Sequence, residues 1–183
     1  MPPADDPTAL VPMEGILAYR QGVPDATSQF DFLLGEWDAR TTRYRADGSP
    51  IGSYGGTWRA RHIHGGRMLL DEFVARLDDG SEISSMATLR TYSPATERWE
   101  MTFLLAHQPQ LISSFRGVYE EGEMRLEGAG VTLEGAPVLA RVRFFAIEPG
   151  SFEWENRVSL DGGDSWYRDS AISARRIEAS AGA

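Results

Sequence analysis

Ser151-Phe152-Glu153-Trp154-Glu155-Asn156-Arg157-Val158-Ser159, followed by Leu160-Asp161-Gly162-Gly163-Asp164-Ser165-Trp166, is the stretch whose reading decides the fold. Phe152, Trp154, Asn156 and Val158 share one parity, and Glu153, Glu155, Arg157 and Ser159 share the other. A period of two with one apolar side is the pattern of a half-buried β-strand. Asp161-Gly162-Gly163 then supplies a turn, because glycine takes positive φ at little cost and an Asp carboxylate accepts backbone N–H bonds. Strand character resumes over Trp166–Ile177, so the segment predicts a β-hairpin.

The same texture extends upstream to Phe30. Strands are expected at Glu36–Ala46, Gly52–His64, Arg67–Leu77, Glu82–Tyr92, Arg98–Ala106, Leu111–Tyr119, Glu123–Glu127, Val138–Ile147, Ser151–Leu160 and Trp166–Ile177. Turn signals such as Asp47-Gly48, Gly65-Gly66, Asp79-Gly80 and Ser93-Pro94 separate them, and no amphipathic helical stretch intervenes. The reading is all-β, an antiparallel up-and-down meander of about ten strands that must close on itself to hide its edges. A barrel of about ten strands is wider than side chains fill, so a ligand-sized interior is expected.

Domain organisation follows from the same contrast. Residues 1–28 hold Pro2, Pro3, Pro7, Pro12 and Pro24 and read as an irregular N-terminal extension, with one short helix near Met13–Tyr19. Residues 29–178 are one β-barrel domain, and 179–183 a C-terminal tail.

Composition limits the chemistry. The 183 residues carry 27 acidic and 18 basic side chains, a formal charge of −9; every basic residue is arginine, and there is no lysine and no cysteine. Schiff-base lysines, thiol nucleophiles, disulfides and Cys-ligated metals are therefore excluded. The acidic balance, with no basic stripe, argues against nucleic-acid and anionic membrane partners. No signal peptide and no long apolar run is visible, so a cytoplasmic location is expected.

Two local motifs resemble known families. Ser159-x-Asp161-x-Gly163-x-Ser165-Trp166 resembles the Asp-box hairpin of sialidases, in which the Asp ties the turn and the Trp packs beneath it. That motif is structural, so Asp161 and Trp166 are assigned to holding a hairpin. Phe30-Asp31-Phe32-Leu33-Leu34-Gly35-Glu36-Trp37 resembles the opening of lipocalins and other calycins. The resemblance implies that Trp37 plugs one end of the barrel while Arg175 or Arg176 of the last strand stacks on it. With Gly65-Gly66-Arg67-Met68-Leu69, Leu89-Arg90-Thr91-Tyr92 and the late Gly-Gly-x-Ser-Trp, residues 30–177 resemble a bacterial lipocalin-like family of unknown function. It implies a ten-stranded calycin-type barrel and carries no catalytic residue onto this chain. The related haem-binding nitrobindins have a glycine-patterned first strand that this sequence lacks.

Candidate site residues come from parity. Trp58, Trp99, Met101, Phe103, Phe152, Trp154 and Asn156 are expected on the inner, ligand-facing wall, with Asn156 either a satisfied core amide or a ligand contact. The three histidines, His62, His64 and His107, are the candidate acid/base groups. His62 and His64 lie two apart on a strand, so they share a face; they are exposed near the Gly65-Gly66 turn, line a cavity, or ligate a metal. If Gly65-Gly66 is a two-residue loop, the His face also carries Asp71 and not Glu72; one extra loop residue reverses this. His107 ends the most apolar strand and belongs at a rim. Arg141 and Arg143 alternate with Val142 and Phe144 and belong on the outer face; the reversed register would let them bind a carboxylate inside.

Three functions remain in competition. The first is binding of a small hydrophobic or amphipathic ligand inside the barrel, without a cofactor. The second is a cofactor-independent isomerase, cyclase or hydratase using one of the histidines. The third is a cupin-like metal enzyme, suggested by Gly56-x5-His62-x-His64 and weakened by the lack of a suitably spaced Glu. A homodimer formed by exchange of the N-terminal segment stays open.

Overall fold

The computed structural model describes residues 20–131 and 136–178; the helix expected near Met13–Tyr19 and the tail at 179–183 lie outside them. Ten strands follow in chain order: β1 (Gly35–Tyr44), β2 (Pro50–Ile63), β3 (Met68–Arg76), β4 (Glu82–Ser93), β5 (Arg98–Leu105), β6 (Gln108–Glu120), β7 (Glu123–Val131), β8 (Pro137–Glu148), β9 (Ser151–Ser159) and β10 (Tyr167–Arg176). Each pairs antiparallel with its sequence neighbours, and β10 returns to β1, which closes the barrel.

A 3-10 helix, Asp25–Leu33, precedes β1 and crosses the boundary expected at residue 28. It drives Phe30 and Leu33, both 0% exposed, into one end of the barrel. Trp37 is also fully buried there and donates from Nε1 to the Leu33 carbonyl at 2.7 Å. The guanidinium of Arg176 stacks on the Trp37 ring at 4.1 Å and donates to the carbonyls of Leu34 (2.7 Å) and Pro149 (2.9 Å). Arg175 falls on the other parity, opposite Asp38, so Arg176 is the residue that closes this end.

Gly35 makes that closure fit. Its φ is +103°, and a Cβ would sit 2.8 Å from Arg176 Nη1. Gly35→Ala is therefore expected to lower stability by about 1–3 kcal/mol through backbone strain and loss of the stacked arginine, read as a shifted urea midpoint.

Two local expectations are corrected. The β2–β3 connection is not a two-residue turn: His64–Gly66 form a 3-10 turn and Ile63 pairs with Met68. One residue is added on each side, so parity is kept, with Ala60 opposite Asp71 and His62 opposite Leu69. β7 runs to Val131 instead of stopping at Glu127. Its Gly128 resembles a strand breaker, but a Cβ there would lie 2.5 Å from the Ser114 carbonyl, so the close β6–β7 approach requires glycine.

The Asp161 hairpin has the expected construction. Asp161 accepts from the hydroxyls of Ser159 (2.7 Å) and Ser165 (2.5 Å) and from the Ser165 amide (3.0 Å). These bonds hold its carboxyl well below the usual carboxylate range. Trp166 Nε1 donates to the Gly163 carbonyl, and Arg141 stacks on its ring at 4.0 Å. Arg141 and Arg143 both lie on the outer face, paired with Glu127 and with Glu123 and Glu155 respectively. Outward ion pairs over an apolar inside are the reverse of a lipid-facing barrel wall. No helix among the described residues is long and apolar enough to cross a membrane.

Candidate functional site

The plugged end leaves a cavity of about 350 Å³ in the other half of the barrel. Strand alternation builds its wall: odd positions of β1, β3 and β5 and even positions of β2, β4, β8 and β9 point inward. Trp58, Met101, Phe103, Trp154 and Asn156 line it, among the residues expected to do so. Phe103 stacks on Phe115 with centroids 5.9 Å apart and ring planes 27° apart, giving one side a flat aromatic surface.

Trp99 and Phe152 are not on the cavity wall. The 3-10 helix fills the closed end up to their level, so they pack into the floor: Trp99 edge-on to Phe30 at 4.7 Å, Phe152 against Trp37 at 4.9 Å. His62 is kept from the cavity for a related reason, whereas His64 in its turn and His107 at the rim lie where the sequence allowed them. His62 has inward parity, but its layer lies beside the plug, where Nε2 meets Asp31 Oδ1 at 2.8 Å. His64 is exposed in the turn, at φ 50°, and edges a surface hollow near Pro24 and Tyr92. His107 is exposed in the short β5–β6 turn at the open rim. None of the three lines the interior cavity. Among the described residues no group of three or more His, Asp and Glu is placed to hold a metal ion.

Two charged residues do reach the interior. Asp71 and Arg90, 1% and 2% exposed in their side chains, form an ion pair between Oδ2 and Nη1 at the cavity floor. Asp71 Oδ1 accepts from Trp58 Nε1 at 2.8 Å. The Arg90 guanidinium lies over Phe30 at 4.9 Å and Phe144 at 5.7 Å. Burial pushes its pKa down to about 9, and the adjoining carboxylate favours the charged form. The pair was legible in principle. Asp71 interrupts the inward series Leu69, Phe73, Ala75, and Arg90 interrupts Met86, Thr88, Tyr92, as Asn156 does on β9.

At the mouth a second pair joins Arg43 Nη2 to Asp169 Oδ1 at 2.8 Å. Burial alone would lower the Arg43 pKa, but the Asp169 carboxylate outweighs it and the net direction is up. Between the two pairs, Thr41 Oγ1 and Asn156 Oδ1 are buried without a hydrogen-bond partner in the protein. Unpaired buried polar atoms are uncommon, and these two lie beside the cavity. A larger hollow of about 670 Å³ lies outside the barrel over β5–β8, edged by Arg98, Glu100, Arg116 and Arg125. Its charged rim is open to water, so it lacks the apolar enclosure of the interior.

No protein-family model matches the sequence, and no curated protein matches it. Solved structures do match. Rv2717c from M. tuberculosis is 15% identical, with 86% of this chain and 100% of that chain covered and a TM-score of 0.63. An S-type phycobiliprotein lyase from Guillardia theta is 9% identical, with coverages of 82% and 91% and a TM-score of 0.56. A protein of unknown function from the DUF3598 family of Nostoc punctiforme is 17% identical, with coverages of 81% and 49% and a TM-score of 0.51. At these identities the likeness is one of fold.

Proposed function

We propose that this protein is a calycin-type binding barrel that holds one small, largely apolar molecule in its interior. The observation that carries the reading is the enclosed cavity of about 350 Å³, walled by aromatic and methionine side chains, with Thr41 Oγ1 and Asn156 Oδ1 left unpartnered beside it. Its volume sits near the lower end of the roughly 300–1,000 Å³ of ligand sites, which suits a compact ring system over a long chain. A phycobiliprotein lyase shares the fold, which is in keeping with a barrel that handles another molecule. The acid/base alternative loses its imidazole, since the histidines lie at the floor's outer edge, in a turn and on the rim.

The test is binding of the neutral fluorophore 6-propionyl-2-dimethylaminonaphthalene. Its emission is expected to shift to the blue on addition of the protein. Ala140 lines the cavity and is 7% exposed, so Ala140→Trp fills the space and is expected to weaken binding at least about tenfold while the melting transition stays cooperative. Undiminished binding by that variant would place the dye elsewhere and reject the reading.

A further inference from the structure

Charged residues at a binding cavity usually announce a charged ligand. Here they do not. The cavity is lined by four charged side chains, Arg43, Asp71, Arg90 and Asp169, two of each sign. They are matched internally: Asp71 with Arg90 at the floor, Arg43 with Asp169 at the mouth. A ligand carboxylate placed on Arg90 would set two anions against one guanidinium in a space too enclosed to hydrate them. A ligand ammonium placed on Asp71 meets the mirror-image problem. A charged head at the floor pair thus gives up its hydration without gaining an unpaired counter-charge, and at the mouth Arg43 is already matched by Asp169.

The uncharged polar groups are different. Asn156 is half-buried on the wall, and its Oδ1 has no donor. Its partner in register on β10 is Ser170, whose hydroxyl is already committed to Asp169 at 3.0 Å. On β8 the residue opposite is Val142, which offers no side-chain donor. The amide is thus set among side chains that do not satisfy it. Around it stand Trp154, Trp58 and the stacked Phe103–Phe115 pair, which favour a planar guest.

We infer that the cavity selects an uncharged, planar aromatic ligand anchored by a hydroxyl or amide N–H that donates to Asn156 Oδ1, and that it discriminates against anionic amphiphiles of the same shape. The inference rests on the cavity-binding reading above and adds the charge state of the ligand and its anchoring residue. Selectivity arises because each ion pair cancels its own charge, while the uncharged Asn156 Oδ1 and Thr41 Oγ1 on the wall stay without a protein partner.

The experiment compares two probes that share a ring system and a phenol, 6-hydroxy-2-acetonaphthone and 6-hydroxy-2-naphthoate, by fluorescence titration at neutral pH. The wild-type protein is expected to bind the ketone at least about tenfold more tightly. Asn156→Leu, which keeps the volume and removes the amide, is expected to weaken ketone binding by about five- to tenfold. Asp169→Asn, which frees Arg43 at the mouth, is expected to shift the ratio of naphthoate to ketone affinity at least about fivefold toward naphthoate, and an unshifted ratio counts against the inference. Equal or tighter binding of naphthoate by the wild type overturns the inference, as does an Asn156→Leu variant with unaltered ketone affinity. Failure of the parent reading looks different: neither probe binds, or Ala140→Trp leaves both affinities unchanged.

Discussion

Arg90→Leu is expected to remove about 3–5 kcal/mol of folding stability, although leucine is the more apolar residue. The loss comes from what stays behind. Asp71 is 1% exposed and keeps one hydrogen bond, from Trp58 Nε1, but it loses its counter-charge where almost none of its surface meets solvent. The contacts of the guanidinium with the Phe30 and Phe144 rings are lost as well. The double variant Asp71→Leu with Arg90→Leu is expected to recover at least half of that loss, since a buried pair replaced by apolar groups is often neutral. Urea unfolding of both single variants, the double variant and the wild type closes the cycle. A single substitution costing under about 1 kcal/mol would contradict the argument, as would a double variant no more stable than Arg90→Leu.

Phe30→Ala is expected to cost about 3–5 kcal/mol for a different reason. Phe30 is 0% exposed and meets Trp99 edge-on at 4.7 Å and Phe144 at 5.8 Å. Truncation leaves a void that rigid strands on every side cannot collapse to fill. For a chain of this size the melting temperature should fall by roughly 10 °C. Val23, 41% exposed just before the same helix, serves as the control, and Val23→Ala should leave the transition within about 1–2 °C. Similar melts for the two variants would mean that Asp25–Leu33 decorates the barrel without plugging it.

How much of this was legible in the sequence varies by residue. Strand number and order were legible because a period of two, interrupted by Asp-Gly and Gly-Gly pairs, leaves little choice. A Gly-x-Trp opening and terminal arginines resemble the calycin closure and narrow the partner of Trp37 to Arg175 or Arg176, and the β1–β10 register selects Arg176. The placement of Trp99 and Phe152 could not. Parity says which face a side chain takes but gives no depth along the barrel, and depth is set by a nine-residue 3-10 helix with no strong periodic signal. The histidines show the same gap: His62 has the inward parity and sits too low to touch the cavity. Asp71 could be placed on the face of His62 in one register, but Arg90 reads alone as a surface charge and gives no sign of being its partner. Only the β3–β4 register, with Asp71 opposite Thr88 and Arg90 opposite Leu69, makes them diagonal neighbours.

The seam between β1 and β10 bears on the order in which the molecule assembles. Every other strand pairing joins segments adjacent in the chain and can form as soon as its own turn does. The last pairing brings Trp37 to Arg176 across almost the whole barrel sequence, and its loop entropy falls due before any reward arrives. Without that pairing the sheet would keep two bare edges, the form most exposed to joining another copy. The arginine that reaches from β10 to the carbonyls of Phe32 and Leu34 is thus a latch on the longest-range pairing, and it acts from the final residue of the final strand. Ribosomal synthesis must deliver that residue before the barrel can shut.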